Sequence, residues 1–121
     1  MNSSDFQLET FLPLREPAFT ILLSLAGGEK HGYAILKTVE HLSRGKLRLS
    51  TGTLYAALSR LVDQWLIERV DAVDNERDNQ RSRSSKVYRL TELGRRVLHA
   101  ETERIHALVA ISHLHLNERP S

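Results

Sequence analysis

Apolar residues recur along this chain in two rhythms, one near the 3.6-residue turn of a helix and one of strict alternation, and the switches between them divide it into elements. Residues 17–26 form an apolar-rich run that opens with Pro17, acceptable in a first helical turn, and closes at Gly27-Gly28, which suit a helix stop. A first helix is predicted there. The second covers residues 31–42, where Ile35, Val39 and Leu42 fall at i, i+4 and i+7 on one face, with Lys37, Glu40 and His41 largely elsewhere. Residues 43–49 read as a linker containing Gly45 and three basic residues, after which Ser50 is placed to cap a third helix over residues 51–63. Leu54, Leu58, Leu61 and Val62 make its buried stripe, which leaves Thr51, Thr53, Tyr55, Ala56, Ser59 and Arg60 on or near the opposite face.

After Trp65 the rhythm changes. Residues 66–72 read as a strand, residues 74–85 as a polar loop, and residues 86–90 alternate with period two, so a β-hairpin with a long polar tip is expected. Thr91 then caps a last helix over residues 92–116, roughly 35 Å long at ~1.5 Å per residue, more than so small a domain needs. The expected class is mostly α with a small β-hairpin (α+β). Three short helices followed by a hairpin is the order of a winged helix-turn-helix, in which the third helix enters a major groove and the hairpin reaches the adjacent backbone. The expected organisation is an arm over residues 1–14, the winged helix-turn-helix over 15–91, a dimerisation helix over 92–116 and a tail over 117–121.

Composition narrows the alternatives. A chain of 121 residues, 40% hydrophobic and 26% charged, suits one folded domain. With no cysteine there are no disulfides, thiolate metal sites or cysteine nucleophiles, in keeping with a reducing compartment. The most apolar stretch, residues 18–26, is interrupted by Thr20 and Ser24 and is too short to cross a bilayer, and no basic-then-apolar leader is present, so a cytoplasmic protein is expected. Net charge is only +2, but its arrangement is uneven: residues 30–60 hold Lys30, Lys37, Arg44, Lys46, Arg48 and Arg60 against Glu40.

That arrangement matches what a duplex requires. Lys37, Arg44, Lys46 and Arg48 precede the third helix, and Arg81, Arg83 and Lys86 lie in the second half of the hairpin, where they would neutralise phosphates. The first half carries Asp71, Asp74, Glu76 and Asp78, so only residues 80–86 are a credible phosphate-binding limb. At the start of the third helix the free amides and the hydroxyls of Ser50, Thr51 and Thr53 can donate to a phosphate, Gly52 permits close approach, and Tyr55 adds a phenolic donor. Ser50 and Thr53 also have a purely structural use as a cap.

Three segments resemble the PadR-like transcriptional regulators: His31-Gly32-Tyr33, then Gly52-Thr53-Leu54-Tyr55-Ala56-Ala57-Leu58-Ser59-Arg60-Leu61, then Val87-Tyr88-Arg89-Leu90-Thr91-Glu92-Leu93-Gly94. The resemblance implies a winged helix with a C-terminal dimerisation helix, usually repressing transcription and often releasing DNA when a small molecule binds. Tyr33, Ser59 and Arg60 complete the expected DNA-binding set. Two departures stand out, Ala56 where the family usually has proline and Trp65 where it usually has glycine.

Along the final helix Leu98, Ile105 and Leu108 follow heptad-like steps, with Leu93, Val97, Val109 and Leu116 nearby. The expected dimer interface comprises Leu98, Ile105, Leu108, Val109 and Leu116, with Phe6, Leu8, Phe11 and Leu12 as a second layer. Two third helices about 34 Å apart would read a pseudo-palindromic operator, and an effector would occupy the apolar space between subunits. No catalytic motif, cofactor or metal is expected: His99, His106 and His113 recur every seven residues, and the better local set is His99, Glu103 and His106. The rival reading is a winged-helix protein-interaction module without DNA binding.

Overall fold

The computed structural model describes residues 8–71 and 86–117. Its elements run α1 (Glu16–Ser24), β1 (Lys30–His31), α2 (Gly32–Leu42), α3 (Thr51–Asp63), β2 (Ile67–Asp71), β3 (Lys86–Leu90) and α4 (Glu92–Asn117). The expected class is correct, and so is the helix, helix, helix, hairpin, helix order. One element was not anticipated. The two-residue β1 adds an edge to the hairpin, giving an antiparallel sheet in the order β1-β3-β2 with Lys30 opposite Tyr88 and His31 opposite Val87. Two residues carry no readable period, which is why the second helix was expected to begin one position early, at His31.

The core forms where the leucine stripes converge. Ile21, Leu22 and Leu25 from the first helical segment meet Ile35 and Val39 of α2 and Leu54, Leu58 and Leu61 of α3, over the floor of Leu66, Ile67 and Tyr88. Leu42 departs from its expected place: it is 44% exposed. The reason is local, since α2 ends there and the chain turns away through Arg44 and Gly45, both at positive φ, with the Gly45 and Arg44 amides donating to the Glu40 and His41 carbonyls.

The end of α3 repeats this device with a bulky residue. The amides of Leu66 and Trp65 donate to the carbonyls of Leu61 and Val62, and Trp65 takes the left-handed conformation at φ 63. Leu66 and Leu61 then pack together in the core. Thr91 fastens α4 to this turn: its hydroxyl donates to the Trp65 carbonyl at 2.5 Å and accepts from the Gly94 amide at 2.9 Å. Gly94 rests directly on the Leu66 carbonyl, so close that any Cβ there would overlap it. The Leu-Thr-Glu-Leu-Gly string is therefore a joint, combining a helix cap with a close backbone approach.

Only the first half of α4 belongs to this core. Val97 is fully buried and Leu98 is 6% exposed, so Leu98 is committed within its own chain and is removed from the expected partner surface. Beside them Glu101 is 1% exposed, a carboxylate held by the Leu14 amide at 2.7 Å and by Arg104 at 2.5 and 3.0 Å. These bonds hold the ionised form and lower its pKa, chiefly through Arg104 and against the opposing effect of burial. The contact ties the segment before α1 to α4. Phe11 and Leu12 are half-buried against the same core, so part of each of these expected interface residues is also covered internally.

Candidate nucleic-acid interface

Ser50 begins α3 as its spacing suggested. Its side chain accepts from the Thr53 amide at 3.1 Å and donates to the Thr53 hydroxyl at 2.9 Å, so both residues serve the cap. Thr51 and Gly52 carry the first-turn amides and are exposed, with no acidic residue in that turn to compete for them. Beyond them Thr53, Tyr55, Ala56, Ser59 and Arg60 all face outward. Arg60 follows Tyr55 by five positions, about 140° around the helix. It lies toward the N-terminal segment, bordering a cleft with Phe11, Pro13 and Leu14.

Tyr55 does more than point outward. Its hydroxyl lies against Gly32, where a Cβ would come within 2.5 Å of it, so the glycine at the start of α2 is what lets α3 approach. This explains why a His-Gly-Tyr segment and a Gly-Thr-Leu-Tyr segment go together. Tyr88, from the middle strand, neighbours Tyr55. Burial pushes the Tyr88 phenol above its ordinary pKa, while the positive charge of Arg69, directly opposite it in the ladder, acts in the opposite direction.

Along α2 the exposed Tyr33 and Lys37 stand one turn apart, with the Lys37 ammonium 5.5 Å from the Tyr33 ring centre. Arg48 reaches back to Glu40 at 3.6 Å, an exposed and weak pairing that leaves the guanidinium open to solvent. Lys46 and Arg44 are exposed in the same linker. Lys86 opens β3, half-buried, opposite Asp71. The structure thus brings Tyr33, Lys37 and Arg48 alongside α2 and sets Ser50, Thr51, Gly52, Thr53, Tyr55 and Ser59 on one helix. Arg81, Arg83 and Phe6 lie outside the described residues. Arg69, exposed on β2 opposite Tyr88, is a cation outside the set expected from the sequence, although its period-two distance from Ile67 marks the side of the strand it shares.

The far half of α4 is of a different kind. Leu108, Val109, Ile111, Leu114 and Leu116 are all exposed, and Ile105 is half-buried. Ile111 and Leu114 lie off the heptad-like steps and so were not among the expected interface residues. An open cleft of about 700 Å³ separates this helix from the N-terminal segment, lined by Leu8, Leu12, Pro13 and Ala100 with Glu103 and Arg104. Among the described residues no group of three histidine or acidic side chains is arranged to hold a metal ion, so His99, Glu103 and His106 do not form a preassembled site. No helix among them is long and apolar enough to cross a membrane.

Comparison with known proteins gives a consistent picture. The model of the Transcriptional regulator PadR-like family matches residues 21–100. A PadR family transcription regulator from Clostridium difficile R20291 superposes with a TM-score of 0.68 at 24% identity, over 85% of this chain and 100% of that one. A PadR-like transcriptional regulator from Bacillus cereus gives 0.67 at 18% identity, over 94% and 99%. Bacillus subtilis PadR, solved in complex with operator DNA, gives 0.59 at 25% identity over 73% of this chain and 46% of that longer one. No curated protein matches.

Proposed function

This chain belongs to the PadR-like family of transcriptional regulators, DNA-binding proteins, and from that premise we propose that it is a repressor that binds a pseudo-palindromic operator as a homodimer and is released by a small-molecule effector. The observation that carries the reading is the exposed side of α3. It is capped by Ser50, lined with small and hydroxyl-bearing residues, free of acidic residues in its first turn, and flanked by Lys37, Lys46 and Arg48. Side chains of that size let a helix sink into a major groove, while first-turn amides and the flanking cations take phosphate oxygens on either side. Phosphate contacts then fix register, and Thr53, Tyr55 and Ser59 are the residues placed to meet base edges.

Homodimerisation is supported by the outer half of α4. Several large apolar side chains there stay half or more exposed among the described residues. At ~25 cal/mol per Å² of apolar surface, covering them stabilises an assembly by several kcal/mol before association costs are subtracted. Leu108, Val109 and Leu116 remain in the interface as expected from the sequence, joined by Ile111 and Leu114, with Ile105 at its inner edge. Two-fold pairing through this helix carries two α3 helices to half-sites one DNA turn apart. The cleft beside Leu8, Leu12 and Ala100 adjoins the same helix, so an effector seated there acts by altering the spacing of the pair.

Sedimentation of the wild type and of the Leu108→Glu, Leu114→Glu double variant tests the assembly. A dimer converted to a monomer with its helical content intact is expected; a wild-type monomer at micromolar concentration contradicts it. Recovery of bound genomic fragments tests the operator, which should contain two inverted half-sites about 10 base pairs apart, centre to centre.

A further inference from the structure

Among the described residues, the hairpin contributes only Lys86 to the basic set expected from the sequence, yet another exposed hairpin cation stands on β2, the strand that α3 packs against. Arg69 lies in the middle of β2 directly across from Tyr88, so the two side chains leave the sheet on the same face. That face also carries Ile67 into the core, where α3 packs on β2. Arg69 is two residues farther along and exposed. Its guanidinium favours the ionised form of the Tyr88 phenol across the ladder, Tyr88 neighbours Tyr55 of α3, and the Tyr55 hydroxyl rests over Gly32. The guanidinium is therefore placed beside the Tyr88 phenol, on the strand that α3 packs against.

The kind of neighbour decides what the charge can do. Arg89, on the other face of the hairpin, is matched by Glu68 at 2.6 Å, and Arg104 is matched by Glu101. In both, a carboxylate cancels the charge. Arg69 lies across from a neutral phenol, and none of the ion pairs among the described side chains involves it. A phenol occupies at most a donor or two of the guanidinium's five and, unlike a carboxylate, brings no charge to cancel that of the arginine. That is the arrangement that favours an anion at a fixed position.

We propose that Arg69 contacts a DNA phosphate beside the groove entered by α3, with Tyr88 as the positioning residue that holds it there. The assignment rests on the reading of α3 as the recognition helix, and the test separates the two. Full-length wild type, Arg69→Ala, Arg69→Lys and Tyr88→Phe are titrated by fluorescence anisotropy against a labelled random-sequence duplex at several salt concentrations. Wild type should bind with a steep salt dependence. Arg69→Ala should bind about tenfold more weakly, with the slope of log K against log salt shallower by about 0.9, the contribution of one phosphate. Arg69→Lys should restore the slope. Tyr88→Phe should keep the slope and lose affinity by a smaller factor, and that loss should vanish in the Arg69→Ala background. An Arg69→Ala protein with the wild-type slope and affinity overturns the proposal while leaving the recognition-helix reading intact. A wild type without salt-dependent duplex binding overturns both.

Discussion

Replacing Glu101 by alanine removes the carboxylate that joins α4 to the segment before α1. The side chain is 1% exposed and accepts the Leu14 amide at 2.7 Å, so its loss leaves that amide without its charged acceptor. A hydrogen bond to a charged group contributes about 1.5–3 kcal/mol. The Arg104 contribution is not added, because that guanidinium is largely solvent-facing and the pair is screened. A loss of about 1.5–3 kcal/mol follows, which at roughly 3–5 °C per kcal/mol for a chain of this length lowers Tm by about 5–15 °C. Thermal unfolding followed by circular dichroism at one fixed protein concentration measures it, since a dimer's Tm depends on concentration. The effect also has a pH signature. The folded-state pKa of Glu101 lies below its unfolded value, so its stabilisation is complete above the unfolded carboxyl value of about 4.3 and is lost as pH falls through the lower folded value. The gap between wild type and Glu101→Gln should therefore be full at pH 7 and shrink below about pH 4. A Glu101→Ala Tm within 1 °C of wild type, or a gap that persists unchanged into acid, refutes the assignment of Glu101 as the tie.

Three further outcomes follow from backbone geometry. Trp65→Gly should raise stability by about 0.5–1 kcal/mol in urea unfolding, because glycine relieves the left-handed strain at φ 63 and a ring that is 74% exposed loses little packing; a lowered midpoint would show that the indole is held by a contact. Gly94→Ala should cost about 2 kcal/mol or more, since the new Cβ overlaps the Leu66 carbonyl and the α4 joint must open, and an unchanged urea midpoint contradicts the joint. Ser50→Ala should cost about 1 kcal/mol through the lost cap, with Ser50→Asp recovering stability but weakening DNA binding; recovery of both would show that no phosphate approaches this turn.

The parts of this fold that announce themselves in the sequence are those with a long period or a chemical stop. Thr51–Asp63 was readable to the residue because Ser50 caps one end and four apolar positions fix the face. Lys86–Leu90 was readable from alternation followed by Thr91. What stayed hidden lacked a period. β1 is two residues long, and Leu42 shares a stripe with Ile35 and Val39 but falls where the helix gives way to a left-handed turn. On α4 one apolar stripe serves two purposes: its first half, with Val97 and Leu98, fills the domain's core, and its second half does not, and spacing alone gives both the same signature. Glu101 offered a faint sign, an acid three residues before Arg104 on the apolar side of the helix. The DNA-facing candidates on α2 and α3 were legible by type. The coupling of Tyr55 to Gly32, and of Arg69 to Tyr88, was not, because it depends on how separate elements meet.

Ala56 allows a direct measurement of whether the outward side of α3 enters a DNA groove. Ala56 is exposed within a well-formed helix, and glutamate is a good helix former, so Ala56→Glu leaves the fold undisturbed while placing a carboxylate on the outward side. Binding of this variant and of wild type to a recovered genomic duplex, compared at equal salt alongside their melting temperatures, is expected to show affinity reduced at least about tenfold with Tm unchanged. Equal affinities at equal Tm would place the DNA elsewhere.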